Sequence, residues 1–353
     1  MSIKAGVVLA ETGLVKEDLD HARAMSISTL EELVSLYYAE PHLTRSLFEQ
    51  TDWRRVLDFA SKIVSYPISR SAAEDVRRRQ RSRGLGAKPP RLQLAQQPAA
   101  LHVEDLDVSA IETEPRPRVL LQGCFGPIRD QGKRGTCVAH AVVALQECLE
   151  ARVQGALSPD LSEQFLYWSC KMNDGISKQA GTWERVAVPM IVQFGVCLET
   201  MWPYNPRPVP NNESQGPPPH GGATEFAEAA VHRPVTGRAM DPMSIQSIVQ
   251  YLDSGTPVAV SVPVFRNWSS ASVERDGHIS MPLPQSRVEG GHAMCIIGYG
   301  FDSAFLGGGY FVVRNSWGTD WARLSPFGPG HGTLPFSYVG HYGWEAYTIS
   351  TQL

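Results

Sequence analysis

The chain has 353 residues, a hydrophobic fraction of 42% and a formal net charge of −4. That length exceeds one ordinary domain and supplies ample apolar material for a core. The small acidic balance gives no global case for a nucleic-acid or anionic-membrane surface, and no run of about 18 apolar residues marks a membrane span.

The N-terminus is briefly apolar through Val7-Val8-Leu9-Ala10 and then meets Glu11, Glu17, Asp18 and Asp20. So short an apolar stretch, followed at once by acid, does not read as a secretory signal, and a cytoplasmic location is expected. Residues 1–66 read as a small helical domain. Two capping boxes compete, Ser28 with Glu31 and Thr29 with Glu32. After them Leu30, Leu33, Val34, Tyr37 and Tyr38 fall at helical spacing. Pro41 marks a break. A second run carries Leu43, Leu47 and Phe48, and a third Trp53, Val56, Leu57, Ala60 and Ile63.

Residues 67–115 read as a charged, Pro- and Gly-containing linker. Arg77, Arg78, Arg79, Arg81 and Arg83 precede Gly84, Gly86, Pro89 and Pro90, and an acidic stretch follows from Glu104 to Glu114. Few apolar residues and many charges predict an extended, exposed tether, although its first part, from Ser71, is compatible with a continuing helix. Arginines beside an acidic stretch favour a solvated segment over a nucleic-acid site.

From residue 116 onward the pattern changes. Helices are predicted from 137 to about 154, from 161 to 170 and from 183 to 194. A Pro-, Asn- and Gly-rich loop spans 205–222. β-Rich runs follow at 257–264, 293–299, 309–314 and 346–349, bounded by Gly or Pro. Helices first and antiparallel strands second make an α+β fold.

Chemistry concentrates in three blocks. In Gln131-Gly132-Lys133-Arg134-Gly135-Thr136-Cys137 a thiol opens an apolar helix, where the helix dipole favours an anion and lowers its pKa. The Gln131 amide is placed to bind a developing oxyanion. The second block is Gly290-Gly291-His292 with a strand ending in Gly298-Tyr299-Gly300, and the third is Asn315-Ser316-Trp317-Gly318. Cys, His and Asn, far apart in sequence, form the arrangement expected of a cysteine protease.

In this order the blocks resemble the papain-like cysteine proteases over roughly residues 116–350, with weaker support from Leu161-Ser162-Glu163-Gln164 and Trp202-Pro203-Tyr204. The resemblance implies two lobes with a cleft between them and assigns roles. Cys137 is the nucleophile, His292 the base and acid, Asn315 the orienter of the imidazole, and Gln131 an oxyanion donor beside the Cys137 amide. Trp317 shields the His292–Asn315 bond. Gly181 and Thr182 resemble the glycine segment that binds substrate backbone as an added strand, and Gly291 adjoins the histidine on the substrate side. No cofactor or metal is implied, and the partner is a peptide or protein substrate. His140, one turn along the helix from Cys137, is the rival histidine; its position points it toward packing.

The sequence also departs from the family pattern. Val138 replaces the usual tryptophan, Arg134 stands where secreted relatives carry a disulfide-bonded cysteine, and residues 322–342 are rich in Gly, Pro and His. These features suggest an intracellular, bacterial-type branch. Residues 1–115 lack the family's propeptide pattern, which leaves an inhibitory segment and a docking module both open. Two further functions share the same residues: a catalytically silent peptide-binding relative, and an acyl-transfer enzyme of the transglutaminase or amidase kind.

Overall fold

The computed structural model describes residues 2–90 and 116–351. Five helices open the chain: α1 (Lys16–Ala24), α2 (Leu30–Ala39), α3 (Pro41–Leu47), α4 (Trp53–Ile63) and α5 (Arg70–Arg81). Of the two competing capping boxes the chain uses Thr29 with Glu32: the Thr29 side chain accepts from the Glu32 amide while the Glu32 carboxylate accepts from the Thr29 amide. Pro41 both ends α2 and begins α3, at the first helical position where its missing N–H costs nothing.

The remaining elements are β1 (Val119–Leu120), α6 (Cys137–Gln154), α7 (Glu163–Asn173), α8 (Glu184–Phe194), α9 (Ala223–Ala229), β2 (Thr236–Met240), α10 (Ile245–Asp253), β3 (Val258–Phe265), α11 (Ala271–Asp276), β4 (Val288–Phe301), β5 (Gly309–Arg314), β6 (His331–Pro335), α12 (Phe336–Tyr342) and β7 (Glu345–Ser350). The strands form one antiparallel sheet in the order β2-β7-β3-β4-β5-β6, with β1 paired to β4. This is the expected α+β arrangement, a helical lobe built on α6–α8 against a β lobe. One face of β3 and β4 packs on α6: Ala259, Ala293, Cys295 and Ile297 join Val138, Val142 and Leu145 in one apolar cluster. The alternate residues, Val258, Val260, Met294 and Ile296, enter a second cluster on the other face, as the two-residue period of a strand requires.

Two expectations change. The N-terminal helices do not keep a core of their own: Leu30, Leu33, Phe48 and Val56 share one cluster with Val260, Ile296 and Trp268 of the β lobe. Nor is the expected linker extended and exposed from its start. Ser69 caps α5, whose Ala73 and Val76 are buried, and beyond it residues 84–90 lie against the helical and β lobes. Helix propensity and an apolar stripe at Ala73 and Val76 overrule the charge count there. The rest of that expectation, residues 91–115, lies outside the described residues. The Gly- and Pro-rich stretch 322–342 yields β6 and α12, which composition did not reveal.

Candidate active site

Cys137 is the first residue of α6 and fully buried. The backbone amides of Ala293, Gly86 and Ala87 act on its sulfur in favour of the thiolate, but burial dominates and pushes the thiol up to about 11. His292 lies on β4, one residue before Ala293. Its Nε2 meets Asn315 Oδ1 at 2.8 Å, and its Nδ1 has no hydrogen-bond partner among the described residues. With Nε2–H donating to the amide oxygen, Nδ1 is left as the basic lone pair. Burial, the largest influence, pushes the imidazole down to about 4. Trp317 stacks on it at 4.4 Å between ring centroids, and Trp268 approaches edge-on. Burial thus favours the neutral thiol and the neutral imidazole in the closed chain, and the expected ion pair is favoured once water enters the cleft.

Gln131 is held in a short network. Its Oε1 accepts from Ser316 Oγ at 2.6 Å, its backbone N–H donates to the Ser316 carbonyl, and its Nε2 donates to the carbonyls of Arg134 and Gly84. Ser316 is thus the residue that fixes Gln131, a role that the sequence motif did not disclose. His140 is turned away into packing: its Nδ1 meets the Thr136 carbonyl and its ring lies edge-on to Tyr204.

The cleft is not empty of chain. Residues 84–90 run through it as a strap. The Gly84 amide donates to Gly132 O and the Ala87 amide to Gly291 O. Thr182 N–H donates to Gly86 O, and the Lys88 amide donates to Thr182 O. The last pair makes a parallel bridge between Ala87 and Thr182. Trp183 Nε1 donates to Pro89 O. The residues expected to hold a substrate backbone, Thr182 and Gly291, hold this segment, and Gly181 packs on Gly86 and Lys88. A Cβ on Gly84 would overlap the Arg134 carbonyl, and one on Gly86 the Gly135 carbonyl, so only glycine permits this approach. The strap is anchored at its start: Arg83 makes a two-pronged ion pair with Glu274 of α11, at 2.6 and 2.9 Å, and Arg79 adds a third contact at 3.0 Å. Arg83 also lies over the Trp317 ring.

Comparison with known proteins follows the same lines. The sequence model of the papain family cysteine proteases matches residues 117–325. An uncharacterized peptidase C1-like protein of Acanthamoeba polyphaga mimivirus is 28% identical over 214 residues, 60% of this chain and 64% of its own length. Fruit bromelain of Ananas comosus is 28% identical over 221 residues, 62% of this chain and 55% of its own. The matches thus take in between about half and two thirds of these relatives. Among known structures, xylellain, a cysteine protease from Xylella fastidiosa, superposes with a TM-score of 0.60 at 21% identity, covering 77% of this chain and 98% of that one. The digestive procathepsin L 3 of Tenebrio molitor larval midgut gives 0.52 at 17% identity and covers 97% of this chain and 99% of that one. At these identities the likeness is one of fold.

Proposed function

Because the chain belongs to the papain family of cysteine proteases, we propose that it is a cysteine endopeptidase kept latent by its own residues 84–90. The observation that carries the reading is the arrangement around His292: Nε2 engaged by Asn315, Nδ1 free, and the Cys137 sulfur beside the next residue of the same strand. In the open enzyme the Cys137 proton resides on His292, giving a thiolate and an imidazolium. The sulfur attacks the scissile carbonyl carbon, and the oxyanion is met by Gln131 Nε2 and the Cys137 amide. The C–N bond then breaks as His292 protonates the leaving amine. Water, deprotonated by His292, hydrolyses the thioester and returns the thiol.

The strap supports latency rather than self-cleavage. Its backbone at Gly86 and Ala87 lies close enough to act on the Cys137 sulfur, and its Gly84 carbonyl occupies the Gln131 donor. The N-terminal helices act here as an intramolecular docking partner. We further propose a reducing, cytoplasmic working environment, supported by six cysteines that are all free thiols, among them Cys148 in contact with Cys124.

The test is labelling of the full chain with an epoxysuccinyl thiol reagent. Wild type should label slowly, Gly84→Ala/Gly86→Ala rapidly, and Cys137→Ala not at all. An opened chain that labels at Cys137 yet hydrolyses no peptide would instead make the protein a silent peptide binder.

A further inference from the structure

Two side chains of α7 hold one glycine of the cleft wall by both of its backbone groups. Tyr167 and Lys171 stand one turn apart on that helix and so share a face; both are buried. The Gly181 N–H donates to the Tyr167 hydroxyl at 3.0 Å, and the Lys171 ammonium donates to the Gly181 carbonyl at 2.9 Å. An ammonium carries three donors. The other two go to the Gln179 carbonyl and to Asp174 Oδ2, each at 2.7 Å. The Lys171 and Asp174 side chains are wholly buried, and Asp174 Oδ1 accepts from the Ile176 amide. A buried ion pair offsets its desolvation only with good geometry and further hydrogen bonds, and here every ammonium proton is used.

The next residue faces the other way. Thr182 turns its N–H and its carbonyl into the cleft, where they meet Gly86 O and the Lys88 amide of the strap. Gly181 itself has a φ of +89°, a region that glycine enters freely and therefore holds weakly on its own. The direction in which Thr182 points thus depends on the grip on Gly181. The Tyr167 ring is fixed in turn. The Arg134 guanidinium lies 5.2 Å from its centroid and donates to Gln164 Oε1 and to the carbonyls of Asn205 and Glu213. The bond-breaking steps use none of these side chains.

We propose that Tyr167 and Lys171 are positioning residues for peptide binding: by clamping Gly181 they set the Thr182 edge to which a substrate main chain adds. This inference rests on the peptidase reading and deepens it. The same edge holds the strap. Loosening the clamp therefore weakens closure and substrate affinity together, and leaves the chemistry of Cys137 and His292 as it was.

Tyr167→Phe tests it, because it removes the acceptor of the Gly181 N–H and keeps the ring. In Gly84→Ala/Gly86→Ala, KM for a fluorogenic tetrapeptide amide drawn from a peptide-library digest should rise about three- to tenfold, the scale of one neutral hydrogen bond, with kcat held within about twofold. Modification of Cys137 in that opened chain by methyl methanethiosulfonate, a reagent with no peptide backbone, should keep its rate. In the otherwise wild-type chain the same reagent, followed at Cys137 by mass spectrometry, should react about threefold or more faster, since the strap loses its hold on Thr182. Lys171→Met/Asp174→Asn, which replaces both buried charges with neutral groups of similar size, is the second variant if Tyr167→Phe does not fold. An unmoved KM, a fall in kcat, slower modification of the opened chain, or a closed chain that reacts no faster overturns the inference and leaves the peptidase reading standing. An opened chain that hydrolyses no peptide overturns the peptidase reading instead; the closed-chain rate then decides the clamp, a faster reaction upholding it and an unchanged one overturning it.

Discussion

The side-chain amide of Gln131 donates to the carbonyl oxygen of Gly84 at 3.0 Å. One residue thus serves two masters in turn: a donor suited to a reaction intermediate is held, in the closed chain, by a segment 47 positions earlier in sequence. The consequences can be measured.

Gly84→Ala/Gly86→Ala should expel the strap without altering a residue of either lobe. Each added methyl overlaps a backbone carbonyl, and backbone cannot move aside as a flexible side-chain tip can. Iodoacetamide alkylation of Cys137 at pH 7 should accelerate by about tenfold or more, given that overpacking typically costs about 1–3 kcal/mol per site. Alkylation no faster than wild type would show that the strap does not guard the sulfur.

Arg83→Ala should weaken the same closure from its anchored end. The Arg83 and Glu274 side chains are both about nine-tenths buried, at 9% and 10% exposure, so leaving Glu274 with only the half-exposed Arg79 removes about 1.5–3 kcal/mol of docking. That predicts about a 10- to 100-fold rise in the opened fraction, read as peptide turnover. Arg83→Lys should recover only part, because an ammonium cannot reproduce the two-pronged contact.

Within the opened chain, Cys137→Ala and His292→Ala should each abolish turnover, and the double variant should be no worse. Asn315→Ala should keep some activity, since it removes orientation and not a reacting group. Gln131→Ala should lose about 2.7–4 kcal/mol of transition-state stabilisation, seen mainly in kcat. Ser316→Ala, which removes only the hydroxyl bound to Gln131 Oε1, should show a smaller loss of the same kind.

The titrations should move with opening. In the closed chain the thiol sits near 11 and the imidazole near 4. The thiol is raised, so its contribution to closure is full below the open-state thiol pKa and fades as pH rises toward 11. The imidazole is depressed, so its contribution is present above about 6.5, its ordinary value, and is lost as pH falls toward 4. NMR of His292 should therefore show a neutral ring at pH 6 in wild type, and a charged ring in Gly84→Ala/Gly86→Ala, where the thiolate stabilises it.

Removing residues 1–90 should not yield a clean active core. The deletion strips Leu30, Leu33 and Phe48 from a cluster that includes Val260 and Ile296, and so bares apolar surface on the β lobe. A chain starting near 116 should melt well below the intact one or aggregate, as exposed apolar patches of this kind do.

Much of this site is legible in the sequence because its chemistry is carried by rare residue types in ordered blocks. Cys137 at a helix start, His292 on a strand and Asn315 at a strand end are each fixed by local pattern, and α6, β4 and β5 follow from apolar runs bounded by glycine. The strap is not legible in that way. Gly84, Gly86 and Ala87 have almost no side chain to form a pattern, and their meaning comes from carbonyls at 134, 135 and 291 that only the fold brings near. The merging of the N-terminal helices with the β lobe is hidden for a related reason: amphipathic spacing says that Leu30 and Leu33 must be covered, but not by what. Glu184 and Glu345, 161 positions apart in numbering, become neighbours only because α8 packs on β7.

The helices that carry the strap share a core with the catalytic lobes, and this bears on how such an enzyme is switched on. A cut just after residue 90 leaves two chains that still embrace, because the buried seam joins residues of the N-terminal helices to the β lobe. Such a cut should leave the plug seated and the enzyme silent even on dilution, so waking it calls for residues 84–90 to leave the cleft while the helices stay docked on the shared core.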